Sequence, residues 1–396
     1  MSVYQHWDPL KLCMVGKSYP PEFYSWIKDS RARNAMERVA LETEEDYQSL
    51  IKILEKFNVD VIRPDVTSNH EEVYNEYYHA FSAPPMTPRD HIGVYNNNDV
   101  FLEYFANDED SIYRYYNNVK DDSWPYIKTV KDLKKLPQWI ISELRNDFNL
   151  EHEININRQY VLKKYAINAM NNKLTTVFDN VITWDAEDKK TVSTNNAGVS
   201  RIGKDLYFPK FKNQKIPDQL LNSDYRINLY SGDFHADSCF VPVVPGLIIS
   251  LHGYQNYKET FPGWEVVYLP DQSWNKVKDF LRLKNKNKGK WWVPGQEDND
   301  ALTETVEQWL GNWVGFVEET VFDVNMLVIN EKNVVVNNYN ELVFDALERH
   351  GVTPHICNFR HRYFWDGGLH CITADLDREG EMNDYFPERD YKIKEF

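Results

Sequence analysis

The chain has 396 residues, 42% of them hydrophobic and 14% aromatic, enough for a large core in one or two domains. Its net charge of −16 opposes binding to nucleic acid or to anionic membrane surfaces and is compatible with a cationic small-molecule substrate. No apolar run reaches bilayer length, the N-terminus reads as neither a signal nor a transit peptide, and Cys13, Cys239, Cys357 and Cys371 are scattered without a C-x-x-C pair. Neither a zinc site nor a disulfide framework is expected, and a reducing cytoplasm fits.

Residues 7–16 read as a turn feeding a short strand. The spacing of Tyr47, Leu50, Ile51, Ile53 and Leu54 predicts a helix over 33–58, and Val59–Pro64 a strand closed by proline. A hairpin follows: Pro88–Tyr95 runs into the turn Asn96–Asp99 and returns over Val100–Tyr104. Residues 106–180, rich in Tyr, Asn, Asp and Lys, read as a solvated elaboration with helical patches near 129–147 and 157–171. A second hairpin spans 199–208. A third runs from His235 through the turn Pro245-Gly246 to Leu251, with a helical patch near 255–261 and a strand over 264–270. Residues 272–323 read as a second elaboration. In it the lysine run 284–290 is a solvated loop, and Trp291-Trp292 are core residues or part of a lid. A fourth hairpin spans 325–336, followed by a helix over 340–349 stopped at Gly351 and a strand over 352–358. The last strand begins at Gly367-Gly368-Leu369-His370-Cys371.

The order strand, tight turn, strand, helix, strand recurs clearly in 235–270 and 325–358 and partially in 86–105 and 199–208. Self-similarity of this kind predicts one repeat architecture closed around an axis over 1–396, with strand mouths converging on a common centre. At those mouths stand Asp90, His235, Asp237 and Cys371.

These residue types form a chemical set. A cysteine thiolate is a competent nucleophile, and a histidine beside it can relay protons to leaving and attacking groups. Two carboxylates match a planar guanidinium through paired N–H···O bonds. Together they predict attack of Cys371 on a guanidinium carbon and a covalent amidino-thioether. Water would then complete a hydrolysis, and an amine would complete an amidino transfer. Neither route calls for a metal or a cofactor. On the residues alone, His252, His370 and Cys239 read as structural and Asp205 as a turn residue.

The segments Trp7-Asp8-Pro9-Leu10, Val61–Asp65, Pro88-Arg89-Asp90, Arg201–Leu206, His235-Ala236-Asp237, Asn325-Met326-Leu327 and Gly367–Cys371 stand in family order across nearly the whole chain. In them the chain resembles the glycine (or inosamine) amidinotransferase family of the guanidine-modifying pentein superfamily. The resemblance implies an α/β pseudo-fivefold propeller of repeated ββαβ modules. It implies Cys371 as nucleophile, His235 as general acid and base, and Asp90 and Asp237 as guanidinium ligands, with Arg89 and Gly368 beside them in the substrate site. It further implies L-arginine as donor, an amine acceptor such as glycine, and a homodimer. Two departures stand out. The acidic residue that supports the histidine in the family falls on Asn195 in an ungapped reading and on Asp185 in a gapped one. The arginine that holds the donor carboxylate has no counterpart in His252–Gln255.

Overall fold

The computed structural model describes residues 1–76, 78–95, 99–104, 116–118, 120, 122–128, 132, 135–145, 148–185, 196–210, 216, 218–231, 235–251, 257–270, 291–314 and 321–396. Its strands form five repeated sheets, each with the same pairing: two antiparallel strands, then a third strand parallel to the second. The second module pairs Ile92–Tyr95, Asp99–Tyr104 and Val181–Asp185. The third pairs Ser200–Ile202, Asp205–Pro209 and Arg226–Tyr230, and Ile393–Glu395 adds a parallel strand at its edge. The fourth is Phe240–Val244, Leu247–Ser250 and Glu265–Tyr268. The fifth is Leu327–Asn330, Asn333–Val336 and Thr353–Ile356.

The first module is shared by the two ends of the chain. Thr373–Arg378 runs antiparallel to Leu10–Val15, with Leu10 opposite Arg378, and Leu10–Val15 runs parallel to Asp60–Ile62. Closure of the ring thus joins the first strand in sequence to one near the end. The pseudo-fivefold α/β propeller implied by the resemblance is the observed architecture.

Each parallel third strand requires a crossover, and helices supply most of them. Helix Ser30–Lys56 is capped by Asp29, whose side chain accepts from the N–H of Arg31 at 2.8 Å and of Ala32 at 3.3 Å. It buries Ala32, Met36, Val39, Tyr47, Leu50 and Leu54 in the largest core. Helix Glu341–Arg349 is capped by Asn340 and ends before Gly351, whose φ of +69° suits glycine.

The two elaborations are tied into this frame. Helix Phe148–Leu174 is the crossover of the second module: Leu162, Ala166, Ile167, Met170 and Leu174 share one core with Ile92, Val94, Val100 and Leu102. In the described part of the second elaboration, Trp291, Val293, Leu302, Val306, Leu310 and Trp313 pack with helix Ser30–Lys56. Trp291 is buried edge-on to Phe364, and Trp292 Nε1 donates to Glu297 at 2.9 Å. Trp291 is thus a core residue and Trp292 is tied to its own loop, which is not the arrangement of a lid. The lysine run lies outside the described residues.

The modules meet on a buried ionic centre. Asp375, in the strand Thr373–Arg378, accepts from Arg89, from Arg201 Nη2 at 3.1 Å and from Arg378 Nε at 2.7 Å. Arg201 also donates to the Val94 carbonyl and Arg378 to the carbonyls of Asp8 and Val328. Four modules are thereby tied to one carboxylate. Burial opposes its charge, but the three guanidinium groups outweigh it and hold the Asp375 carboxyl well below the usual range.

Candidate active site

The site is assembled from residues standing just before the first strand of successive modules. Asp90 belongs to the short helix Pro88–His91 that feeds Ile92, and Asp237 to the 3-10 turn Ala236–Ser238 that feeds Phe240. His235 caps that turn. Asn325 precedes Leu327, and Cys371 precedes Thr373. Ring closure brings these mouths together, as the repeat predicts.

Cys371 is buried among polar partners. Asn325 Nδ2 donates to its Sγ at 2.9 Å, and the thiol donates to Asp237 Oδ2 at 3.4 Å. The same Asp237 oxygen receives His370 Nδ1 at 2.8 Å. Asn325 also fixes the backbone: its Oδ1 accepts from the N–H of His370 at 2.9 Å and of Cys371 at 3.2 Å. Asn337 Nδ2 holds Asn325 in turn, through the Asn325 carbonyl at 2.9 Å. His235 Nδ1 stands 4.0 Å from Asp237 Oδ1. The second oxygen of Asp237 and Asp90 Oδ1 are both enclosed and accept no hydrogen bond among the described residues. Buried acceptors of this kind are costly unless a donor reaches them.

Electrostatics follow from this packing. Burial, then the charges of Asp237 and Asp90, push the Cys371 thiol well above its ordinary value, against the hydrogen bond from Asn325. Burial also opposes the charge on Asp237, but the hydrogen bond and charge of His370, with His235 and Arg89, hold its carboxyl below the usual range. Burial and Arg89 push the His370 imidazole down, against the pull of Asp237. His370 Nδ1 and Asp237 Oδ2 thus form a buried pair in which Asp237 is favoured as the carboxylate. A cation seated on Asp237 and Asp90 would remove the two charges that hold the proton on sulfur.

The expected site residues fall into three groups. Cys371, His235, Asp237 and Asp90 are brought together. Arg89 and Gly368 are placed nearby but in other roles than substrate contact. The Arg89 guanidinium is 2% exposed and turned inward, with Nε donating to the Thr373 carbonyl at 3.1 Å and Nη1 paired with Asp375. Its backbone N–H donates to the Cys371 carbonyl at 3.3 Å, so Arg89 positions the nucleophile's strand. Gly368 makes room for Asn325: a Cβ there would lie 2.6 Å from Asn325 Oδ1. The third group comprises the two residues proposed to support the histidine. Asn195 lies outside the described residues, directly before the turn Asn196–Gly198 at the mouth of the third module. Asp185 ends the third strand of the second module, opposite Tyr104.

Two residues were missed by sequence reasoning. His370 reads as structural from its neighbours, yet it holds Asp237. Asn325 was noted as part of a motif, without a role. Its position at a strand mouth equivalent to those of Asp90, Asp237 and Cys371 was the available signal.

Comparison with known proteins agrees with this architecture. An amidinotransferase from Microseira wollei in the saxitoxin biosynthetic pathway superposes with a TM-score of 0.57 at 16% identity, covering 97% of this chain and 99% of that one. The inosamine-phosphate amidinotransferase of Streptomyces griseus gives a TM-score of 0.56 at 16% identity, covering 97% and 98%. The chain has the amidinotransferase fold. In sequence it is similar to the L-arginine:L-lysine amidinotransferase of Pseudomonas savastanoi pv. phaseolicola, 26% identical over 202 residues, or 48% of this chain and 45% of that protein. It is likewise similar to the mitochondrial glycine amidinotransferase of Xenopus tropicalis, 26% identical over 176 residues, or 42% of this chain and 33% of that protein. The aligned part is thus less than half of either relative's length. No protein-family model matches the chain.

Proposed function

We propose that this chain is an amidinotransferase working through a covalent amidino-Cys371 intermediate. The observation that carries the reading is the pair of enclosed, unsatisfied carboxylate oxygens of Asp90 and Asp237 beside a buried thiol. A guanidinium supplies the donors those oxygens lack, and its planar fork places the central carbon near sulfur. Its positive charge offsets the two carboxylates that raise the thiol.

The steps balance as follows. The Cys371 thiol passes its proton to His235, to be restored when the carbon–sulfur bond finally breaks, and sulfur attacks the guanidinium carbon. The carbon–nitrogen bond to the amine half breaks, and that nitrogen takes a proton from His235. An acceptor amine then attacks the amidino carbon and returns a proton to His235, and the carbon–sulfur bond breaks. Asn325, donating to sulfur, stabilises it as thiolate and as leaving group.

Our finer reading takes L-arginine as donor and glycine as acceptor, giving ornithine and guanidinoacetate. In its support, relatives named for glycine and for L-arginine with L-lysine both align with the chain. Among the described residues no helix is long and apolar enough to cross a membrane, and we place the enzyme in the cytoplasm on its scattered cysteines, which form no disulfide with one another.

The test is incubation with L-arginine, with and without glycine or L-lysine, followed by mass analysis of Cys371 and of products. One amidino group on Cys371, absent in Cys371→Ala, with ornithine released, supports the transfer. Citrulline formed without an acceptor would replace it with a hydrolase. No adduct with any guanidino compound would leave a binding protein on this fold.

A further inference from the structure

The pocket that opens on the site has a volume of about 250 Å³, and Asp90, His235, Trp313, Trp365 and Lys163 all line it. Four of these belong to the propeller or its wall. Lys163 comes from helix Phe148–Leu174, in the segment that sequence reading set aside as a solvated elaboration.

The placement of Lys163 follows from the helix around it. Leu162, Ala166, Ile167 and Met170 are buried against the second module, which fixes the rotation of the helix. Lys163 and Ala166, three residues apart and so on one face, both line the pocket. The helix is tied to the neighbouring chain at this level: Ala83 N donates to the Leu162 carbonyl at 3.2 Å, and Thr67 N to Tyr165 Oη at 2.7 Å. The segment tied there runs on through Pro84–Thr87, which also lines the pocket, to Asp90.

Lys163 forms no ion pair with any described residue, although it shares the pocket with Asp90 in a chain of net charge −16. The pocket's carboxylates are Asp90 and Asp366, and Lys163 is the one lysine or arginine among its described lining residues, which gives it a polarity. It favours a ligand that is cationic at the reacting end and anionic away from it.

We infer that Lys163 is the specificity-determining cation of this site, reading a carboxylate on the guanidino compound whose guanidinium sits on Asp90 and Asp237. This rests on the amidinotransferase reading for the identity of the reacting end. It makes helix Phe148–Leu174 part of the substrate site.

The experiment compares L-arginine with agmatine, the same guanidine without its carboxylate. Equilibrium binding to the full-length Cys371→Ala protein is measured by calorimetry, and adduct formation is measured on the protein carrying Cys371. Lys163→Met is expected to weaken L-arginine by roughly ten- to a hundred-fold while moving agmatine by less than about threefold. Lys163→Arg should restore most of the L-arginine affinity, and Lys163→Glu should make agmatine the preferred ligand. Equal loss for both ligands, no loss for either, or failure of the Lys163-bearing protein to bind L-arginine would overturn the inference. Binding with the expected discrimination but without an adduct would overturn the transfer chemistry alone. Thermal melts of the variants check the fold, which a partly exposed lysine should not disturb.

Discussion

Asn325 Nδ2 lies 2.9 Å from Cys371 Sγ, while its Oδ1 accepts the Cys371 N–H at 3.2 Å. One amide thus holds both ends of the nucleophile, its sulfur and its backbone. Asn325→Asp keeps the acceptor for the backbone and turns the donor into a charge facing sulfur. Burial, Asp237 and Asp90 already hold the thiol well above its ordinary value, and a third carboxylate adds to that. Alkylation of Cys371 by iodoacetamide should be slow at neutral pH, rise only at pH above the range of an ordinary cysteine, and in Asn325→Asp shift further to alkali. The rate at a fixed pH should fall roughly ten- to a hundred-fold. An unchanged pH profile in a folded variant would remove Asn325 from the site.

Gly368 is the counterpart of that contact. An added Cβ would lie 2.6 Å from Asn325 Oδ1, 2.9 Å from Phe322 Cδ1 and 3.0 Å from Asn325 Cβ. Asn325 is pinned by Asn337 and cannot retreat freely. Gly368→Ala is therefore expected to cost about 1–3 kcal/mol of stability and to slow adduct formation more than it weakens arginine binding. Urea unfolding and single-turnover mass analysis read the two effects. Wild-type stability together with a wild-type rate would show that the contact relaxes without consequence.

Much of the propeller was legible because most of its hairpins carry apolar strands around short polar turns. What escaped has specific causes. The strand Arg226–Tyr230 lacks the expected alternation because its inward residues are polar: Arg226 Nη2 donates to Asp205 at 2.6 Å and Asn228 Nδ2 at 3.0 Å. Asp205, read as a turn residue, is the fully buried centre of that cluster and also binds Arg389 at 2.7 Å. Polar residues that satisfy one another indoors carry no outward sign in a hydropathy pattern. Val181–Asp185 completes the second module only after a crossover of more than seventy residues, too long for a local pattern to bridge. The first module joins Leu10 to Arg378, so its hairpin cannot be seen in any window. At the site, residue type marked Cys371, His235 and the two aspartates. Arg89 was misassigned because a motif shows adjacency to Asp90 but not that neighbouring side chains turn opposite ways.

His370 governs the acid side of ligand binding. It keeps Asp237 below the usual carboxylate range against a burial cost that only His235 and Arg89 oppose once the imidazole is gone. On the proposed function the guanidinium needs Asp237 ionised, so affinity should fall as pH drops through its pKa. In His370→Leu that pKa rises, and the loss of arginine affinity should begin at higher pH than in the wild-type protein. His370→Asn, which retains a donor, should lie between them. Calorimetric titrations across pH 4 to 8, in steps of about one unit, locate the three acid limbs. Coincident limbs would show that Asp237 owes its ionisation to other groups.

Asp375 offers the sharpest test of what closes the ring. Its carboxylate is fully buried and holds Arg89, Arg201 and Arg378 from three segments distant in sequence. Removing the charge by Asp375→Asn leaves three guanidinium groups enclosed without a counter-ion, a loss of about 3–5 kcal/mol for a broken buried pair. The pH dependence has a definite sign. The folded pKa lies well below the unfolded value of about 4, so the wild-type contribution is complete above that value and is lost as pH falls through the folded pKa. Asp375→Asn should therefore flatten the acid limb of the stability curve while lowering its plateau. Because Arg89 also donates to the carbonyls of Cys371 and Thr373, the variant should lose adduct formation under conditions where it remains folded. Urea midpoints between pH 3 and 7, at intervals of about one unit, and adduct mass analysis at neutral pH measure both. A plateau lowered by less than about 1 kcal/mol would show that the arginines find other partners and that ring closure rests on apolar packing.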